Sequence, residues 1–483
     1  MKKFCLIYLL ALCTMLSANS QDIDKNERMK WFKDAKLGIF LHWGIYSVNG
    51  IDESWSFFNE YLPYEEYMNQ AQGFTAKDYD ADYWAALIQE SGARYAVLTS
   101  KHHDGMALWD TKQGDLSVVK QTPAGRDLVG PFCKALRARG LEVGLYYSLL
   151  DWSHPDYPNF TASQKKYADD TVRWDAFVKF NFGQINEIAT QFNPDLFWFD
   201  GDWEQSAEKW HAAEIREMLL KNNPEVIINS RLAGYGDYAT PEQGLPASRP
   251  KDEYWELCMT MNDSWGYQPN DRNYKSVNLI IRIFADVIGM GGNLLLDIGP
   301  KPDGTIAEEQ VDILKALGRW THKHAEAIYG THSGIPKDCY YGPSTISQDS
   351  TILYLFVPSN LNSGFRIPDS EQNQNPKSRN PQRQNAQSSN HPINQSSNPP
   401  TDQSSNPPIS QSTNQQILLK GVTNSISTAW VVGNGTKLEQ TTWLKPWWSG
   451  NPGLVSIIIP EAALDEEMTV IAVQLDGKLA LKF

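Results

Sequence analysis

Across residues 31–328, short apolar runs alternate with stretches of helical periodicity. This alternation restricts the fold more than any other property of the chain. The runs at 37–41, 94–99, 141–147, 196–199, 226–228, 254–259 and 293–298 have the length and composition of buried strands. Residues 81–88, 126–139, 163–192, 206–220 and 276–290 read as helices, as does a segment beginning near Glu308. Strand–helix alternation builds a parallel sheet with right-handed crossovers, either an open doubly wound sheet or a closed barrel. The residues just beyond the strands choose between them. His42-Trp43-Gly44, Lys101-His102-His103-Asp104-Gly105, Asp200-Gly201-Asp202-Trp203 and Asn229-Ser230-Arg231 each stand at the end of a run. A barrel gathers such strand ends on one face, which an open sheet does not. The sequence therefore predicts an α/β barrel over residues 21–336.

No run is followed by a G-x-G-x-x-G or G-x-x-x-x-G-K-[ST] loop, so neither nucleotide cradle is present and no cofactor is expected. A formal net charge of −14 disfavours nucleic acid and anionic lipid surfaces as partners. Lys2 and Lys3, an apolar core over 4–16 and the small residues Ser17-Ala18-Asn19-Ser20 form the pattern of a cleaved export signal, residues 1–20. That core is too short for a membrane span, so the protein is expected to be periplasmic or secreted, without membrane insertion. Cys133, Cys258 and Cys339 lie far apart beyond this leader and imply neither a disulfide framework nor a metal site. Beyond about Lys337 the helical periodicity stops. Residues 351–357, 417–422, 429–432, 454–459 and 468–475 read as strands of a second, all-β domain spanning 337–483. Residues 369–416 interrupt it. Gln-Ser-Ser-Asn begins at Gln387, Gln395 and Gln403 and returns as Gln-Ser-Thr-Asn at Gln411, a Pro-rich repeat lacking large apolar side chains. Such units bury almost nothing when stacked, so a disordered insertion is expected.

The candidate chemistry centres on Asp200, which ends a buried strand between Trp198 and Trp203. Aromatic walls beside a carboxylate suit a sugar ring, with a face to stack and hydroxyls to bind. His42, His102 and His103 also stand at strand ends. Adjacent side chains on extended backbone point to opposite sides, so His102 and His103 are not expected to share a metal. Their alternative role is hydrogen bonding to substrate hydroxyls. Arg231 can pair with a carboxylate. Tyr146, Tyr147 and Trp152 read equally as core or as pocket wall. Retaining glycoside cleavage needs two carboxyl groups about 5–5.5 Å apart, one a nucleophile and one an acid then base. Asp200 is the natural nucleophile, and Glu256, Asp263, Glu53 and Asp202 are the candidates for its partner. Trp255, Leu257 and Met259 surround Glu256 in sequence, and desolvation there would keep its carboxyl protonated. Asp263, in a loop-like stretch, stays open as the alternative.

These motifs, in this order, resemble the α-L-fucosidases of glycoside hydrolase family 29. The resemblance is carried by residues 37–44, 101–105, 146–148, 198–201, 229–231, 255–267 and 291–300. It implies a distorted (β/α)8 TIM-like barrel followed by a C-terminal β-sandwich. It also implies exo-hydrolysis of terminal α-L-fucose from fucosylated oligosaccharides or glycoconjugates, with retention, through a fucosyl-enzyme on Asp200. It assigns His42, His102, His103, Tyr147, Trp198 and Arg231 to fucose binding. Glu53 and Trp55 match a Glu-Trp pair that is adjacent in many members and here is split by Ser54. For the acid/base it allows Glu256 or Asp263. The rival readings are a glycan-binding protein without strong catalysis and a retaining glycosidase for another sugar.

Overall fold

The computed structural model describes residues 25–358, 414–445, 447–448 and 450–482. Seven parallel strands form one sheet: β1 (Leu37–Leu41), β2 (Tyr95–Lys101), β3 (Glu142–Ser148), β4 (Leu196–Asp200), β5 (Ile227–Ile228), β6 (Glu256–Thr260) and β7 (Asn293–Ile298). Their order, β5-β4-β3-β2-β1-β7-β6, is that of a barrel open between β5 and β6. An irregular segment fills the opening. Tyr238 bridges Asn229 beyond β5, while Ala239 bridges Trp255 and Glu242 bridges Cys258, all in parallel. Pro241 lacks an N–H, which keeps this eighth stave from becoming a regular strand. The result is the distorted (β/α)8 barrel.

Alternation along each strand sorts the side chains. Phe40, Tyr95, Val97, Tyr146, Leu196, Trp198, Ile227, Tyr238, Cys258 and Leu295 form the barrel interior. Their neighbours along the strands point the other way: Ile39, Leu98, Leu145, Phe199 and Leu296 join the larger core under the helices. Both faces are covered, so the strands read as continuous apolar runs rather than alternating ones.

The second region holds two antiparallel sheets. One contains β8 (His332–Ser333), β9 (Ser344–Ile346), β10 (Ile352–Pro358), β12 (Ile426–Val431) and β15 (Met468–Leu475); the other contains β11 (Gln415–Lys420), β13 (Glu439–Trp443) and β14 (Leu454–Ile459). Leu353, Leu355, Ile471 and Val473 meet Ile417, Leu419, Ile457 and Ile459 in a core of their own. The opposite face of β10 and β15, through Tyr354, Phe356, Val470 and Ala472, joins the barrel's core. There Trp320 Nε1 donates to the Met468 carbonyl at 2.9 Å.

Several expectations shift. The helix expected over 206–220 is two helices, Ala207–Trp210 and Ala212–Asn222, separated by His211 at φ 53°. Within 163–192 the helix is Thr171–Gln191, started by the Asp170 side chain accepting the Val172 and Arg173 N–H groups. Residues 1–20 and 369–413 of the expected leader and insertion lie outside the described residues. Gln415 and Gln416, placed in that insertion, begin β11 instead, because Gln415 pairs with Ile459 and Gln416 with Ile458. Among the described residues, no helix is long and apolar enough to cross a membrane.

Candidate active site

Asp200 is the last residue of β4, where the strand reaches the barrel mouth. Gly201 then turns at φ 85°, and a Cβ there would lie 2.4 Å from Leu150 Cγ, so only glycine fits this exit. Asp200 lines a cavity of about 330 Å3. This is the lower end of the roughly 300–1,000 Å3 usual for ligand pockets. Arg231 Nη1 donates to Asp200 Oδ1 at 2.9 Å, and the Tyr146 hydroxyl donates to Oδ2 at 3.0 Å. The other terminal nitrogen of Arg231, Nη2, donates to Glu242 Oε2 at 2.6 Å. One planar guanidinium therefore holds two carboxylates at one side of the cavity. It also lies over the Trp198 ring, 4.6 Å from the centroid.

Each of the three histidines is held by Nδ1 from behind. His42 Nδ1 meets Asp297 Oδ1 at 2.7 Å, His102 Nδ1 meets Ser54 Oγ at 2.7 Å, and His103 Nδ1 meets Ser148 Oγ at 2.6 Å. All three rings line the cavity, and His103 Nε2 is 3.6 Å from Asp200 Oδ2. Burial, with neighbouring His103, pulls the His102 pKa well below the usual range. Burial also lowers His42, and it lowers His103 to about 3 with help from Lys101. The imidazoles are thus neutral near pH 7, able to donate or accept hydrogen bonds without carrying charge. Phe40, Trp198 and Trp265 make an apolar corner, with Phe40 5.0 Å from Trp198 and 6.1 Å from Trp265 between ring centroids. Trp55 and Trp203 stack at the rim, 6.4 Å apart and 14° from parallel. Glu53 is buried in the cavity wall and accepts the Gly266 N–H; burial pushes its carboxyl up to about 7.

Of the residues expected from sequence, Asp200, His42, Glu53, Trp55, His102, His103, Trp198 and Arg231 line this one cavity. Ser54 does not displace its neighbours: Glu53 and Trp55 both reach the cavity while Ser54 anchors His102. Four expectations require correction. Tyr147 faces outward under the helices, its hydroxyl bonded to Asn181 at 2.6 Å and Gln184 at 3.0 Å, because alternation along β3 aims Tyr146 inward. Glu256 stands at the first residue of β6, at the opposite end of the strand from the mouth, and is completely enclosed. Asp263 is exposed; its N–H donates to Asp271 and its carboxylate accepts from Asn273, so it does not line the cavity. His102 and His103 do not diverge, since β2 ends at Lys101 and the chain turns there, leaving their ring centroids 4.2 Å apart in one wall. Among the described residues, no group of three His, Cys, Asp or Glu is arranged to hold a metal ion. Asp202 turns away to accept the Ala233 N–H.

Glu242, Phe40 and Trp265 join the cavity without a signal that sequence reasoning could single out. Glu242 lies in the irregular stave, where Pro241 conceals any strand pattern. Its detectable trace is only a carboxylate eleven positions beyond Arg231 in a segment without apolar periodicity.

The chain as a whole is similar to several known proteins. The family model described as Alpha-L-fucosidase matches residues 13–326. The chain is 30% identical over 409 residues to the Alpha-L-fucosidase of Dictyostelium discoideum, covering 76% of this chain and 86% of that one. It is 34% identical over 340 residues to the Tissue alpha-L-fucosidase of Mus musculus, covering 64% and 73%. Among solved structures, it is similar to Alpha-L-fucosidase isoenzyme 1 from Paenibacillus thiaminolyticus, with a TM-score of 0.75 and 29% identity over 94% of this chain and 100% of that one. It is also similar to the Thermotoga maritima alpha-fucosidase solved in complex with fucose, with a TM-score of 0.68 and 26% identity over 92% and 96%. Barrel, cavity and comparisons agree, and the chain belongs to the α-L-fucosidase family, glycoside hydrolase family 29.

Proposed function

We propose that the cavity takes one terminal α-L-fucose and that Asp200 and Glu242 divide the chemistry of a retaining hydrolysis between them. The observation that carries this reading is the shared guanidinium: Arg231 joins both carboxylates, at 2.9 Å and 2.6 Å. Retaining cleavage needs two carboxyl groups about 5–5.5 Å apart, and a common Arg holds this pair at short range. The Asp200 carboxylate attacks the anomeric carbon. The bond to the glycosidic oxygen breaks as the Glu242 carboxyl donates its proton to that oxygen. The acting form of Glu242 is the protonated carboxyl, turned from its Arg231 contact to the leaving oxygen when substrate binds. Glu242 then takes a proton from water, whose oxygen attacks the anomeric carbon and releases fucose and Asp200. Positioned carboxylates and neutral imidazoles reduce both orientation and desolvation costs.

The fit to fucose comes from the walls. The apolar corner of Phe40, Trp198 and Trp265 suits a 6-deoxy sugar's methyl group, and His42, His102 and His103 present hydrogen-bonding edges to its hydroxyls. A cavity this small accommodates a terminal residue rather than a chain interior, which supports exo action on fucosylated glycans. Glu53 is the second reading for the proton donor, favoured by its elevated pKa of about 7. Against it, Glu53 already accepts the Gly266 N–H, whereas Glu242 shares Arg231 with the nucleophile. A panel of aryl glycosides tests the substrate. Release from α-L-fucosides alone supports the reading, and equal turnover of another aryl sugar overturns it. The N-terminal pattern supports export to the periplasm or medium after cleavage near residue 20, and the catalytic unit is assigned to 21–336 with the β-domain following from 337. Mass spectrometry of the exported protein tests the cleavage site.

A further inference from the structure

Beneath the cavity floor Glu256 is enclosed on every side. The Tyr95 hydroxyl donates to one oxygen at 2.5 Å and Trp198 Nε1 to the other at 2.9 Å, and the Tyr238 hydroxyl also faces the carboxyl. The barrel is shaped for this. A Cβ on Gly38 would lie 2.4 Å from the Tyr95 ring, so glycine there makes room for the tyrosine that holds Glu256. Trp198 in turn carries the site above it. The Arg231 guanidinium lies 4.6 Å over its ring, and Tyr146 packs 5.7 Å from it at 21°. These two residues are the hydrogen-bond donors to Asp200. A buried carboxylate is costly to desolvate, and hydrogen bonds from neutral donors offset that cost only in part. Stability therefore does not explain its presence in the middle of an aromatic interior.

We infer that Glu256 is a positioning residue for the sugar site: by accepting the Trp198 indole N–H it fixes the Trp198 wall of the cavity, and through that wall the Arg231–Asp200 pair. The torsion between Cβ and an indole ring is soft. An indole N–H with a hydrogen-bond acceptor has one favoured orientation, and loss of the acceptor removes that preference. This role rests on the reading of the cavity as the fucose site. It differs from a place in the chemistry, since Glu256 touches no space a substrate can enter.

The test measures kcat and KM on an aryl α-L-fucoside, together with thermal midpoints, for Glu256→Leu, Glu256→Gln, Trp198→Phe and the paired combinations. Glu256→Leu is expected to lower kcat/KM at least tenfold in protein that is still folded at the assay temperature, with a lower midpoint because the Tyr95 hydroxyl and the Trp198 N–H lose their acceptor. Glu256→Gln, which keeps an acceptor, recovers to within two- to fivefold of the parent. In the Trp198→Phe background, which has no N–H to hold, neither Glu256 substitution adds a further loss. Unchanged kinetics in a folded Glu256→Leu protein overturn the inference, as do losses that multiply in the double variants. If Glu256→Leu does not fold, Glu256→Gln decides alone: a two- to fivefold loss confined to the Trp198 background supports the role, and equal effects in both backgrounds overturn it. Asp200→Gly is measured alongside. Its retention of activity would remove the site reading itself, whereas its inactivity with unmoved Glu256 variants removes only this inference.

Discussion

Asp200 and Glu256 face the same barrel interior with Trp198 between them, and in both each carboxylate oxygen accepts a hydrogen bond. Their surroundings differ in kind. Asp200 ends its strand, meets a cation and forms part of a cavity wall. Glu256 begins its strand, meets neutral donors alone and is sealed. A carboxylate therefore does different work according to its place along a strand, because barrel loops at the carboxyl ends leave space for a ligand while the interior is packed. Sequence reasoning that scores Glu256 by its apolar neighbours identifies real desolvation, with the carboxyl pushed up to about 7 by burial. Glu256 nevertheless stands away from the mouth and does not line the cavity.

The largest break in this comparison is at its reactive end. Asp200→Gly should lose at least about a thousandfold in turnover of an aryl fucoside while still binding fucose, as expected for a nucleophile. Azide should restore turnover through a fucosyl azide of inverted configuration, and wild-type-like rates without azide would contradict the assignment. Next, Glu242→Ala should lose about a hundredfold on a natural oligosaccharide and far less in the cleavage step of an activated aryl fucoside, whose leaving group needs no proton. If Glu53→Gln shows that selectivity instead, the donor is Glu53.

A third variant sharpens the comparison through stability. Glu53, like Glu256, has a folded carboxyl pKa pushed to about 7 from 4.5, with burial the main cause. A raised carboxyl contributes stability that is fully present below pH 4.5 and is lost as pH rises through 7. Glu53→Gln should therefore flatten the fall in thermal midpoint between pH 5 and pH 8, a change of up to about 3 kcal/mol. An unchanged slope by calorimetry would show that Glu53 does not titrate in that window. Ser54→Ala should raise KM about fivefold by freeing His102 Nδ1, the scale of one lost hydrogen bond near 1 kcal/mol, and unaltered kinetics would make Ser54 a spacer only. Smallest of all, Asp263→Ala should change kcat/KM less than about twofold, since exposed substitutions away from a site have small effects. A selective loss on natural substrate would return it to the reaction.

Legibility from sequence tracks local constraint. The buried runs and their polar endings are readable because strand composition and strand termination are local properties, and eight of the expected site residues meet in one cavity. Tyr147 is misassigned because sequence shows two adjacent tyrosines but not which one the register of β3 against β4 turns inward; Tyr146 pairs with Trp198 and Tyr147 with Phe199. β13, with mostly exposed residues on an edge, offers no apolar run to read. The divergence expected of His102 and His103 fails because the extended backbone stops one residue before them.

The amino-acid sequence by itself determined the alternation that requires a covered parallel sheet, the all-β region after it, and the strand-end carboxylate with its histidines and arginine. Those follow from side-chain periodicity and from residue types that do not tolerate burial unless paired. Only the tertiary structure decided which carboxylate joins Asp200. Glu242 reaches the mouth on a stave with no periodic pattern, held by bridges to Trp255 and Cys258 through neighbours distant in sequence, and Arg231 joins it to Asp200. That proximity depends on closing the gap between β5 and β6, a property of the whole barrel rather than of any segment in it.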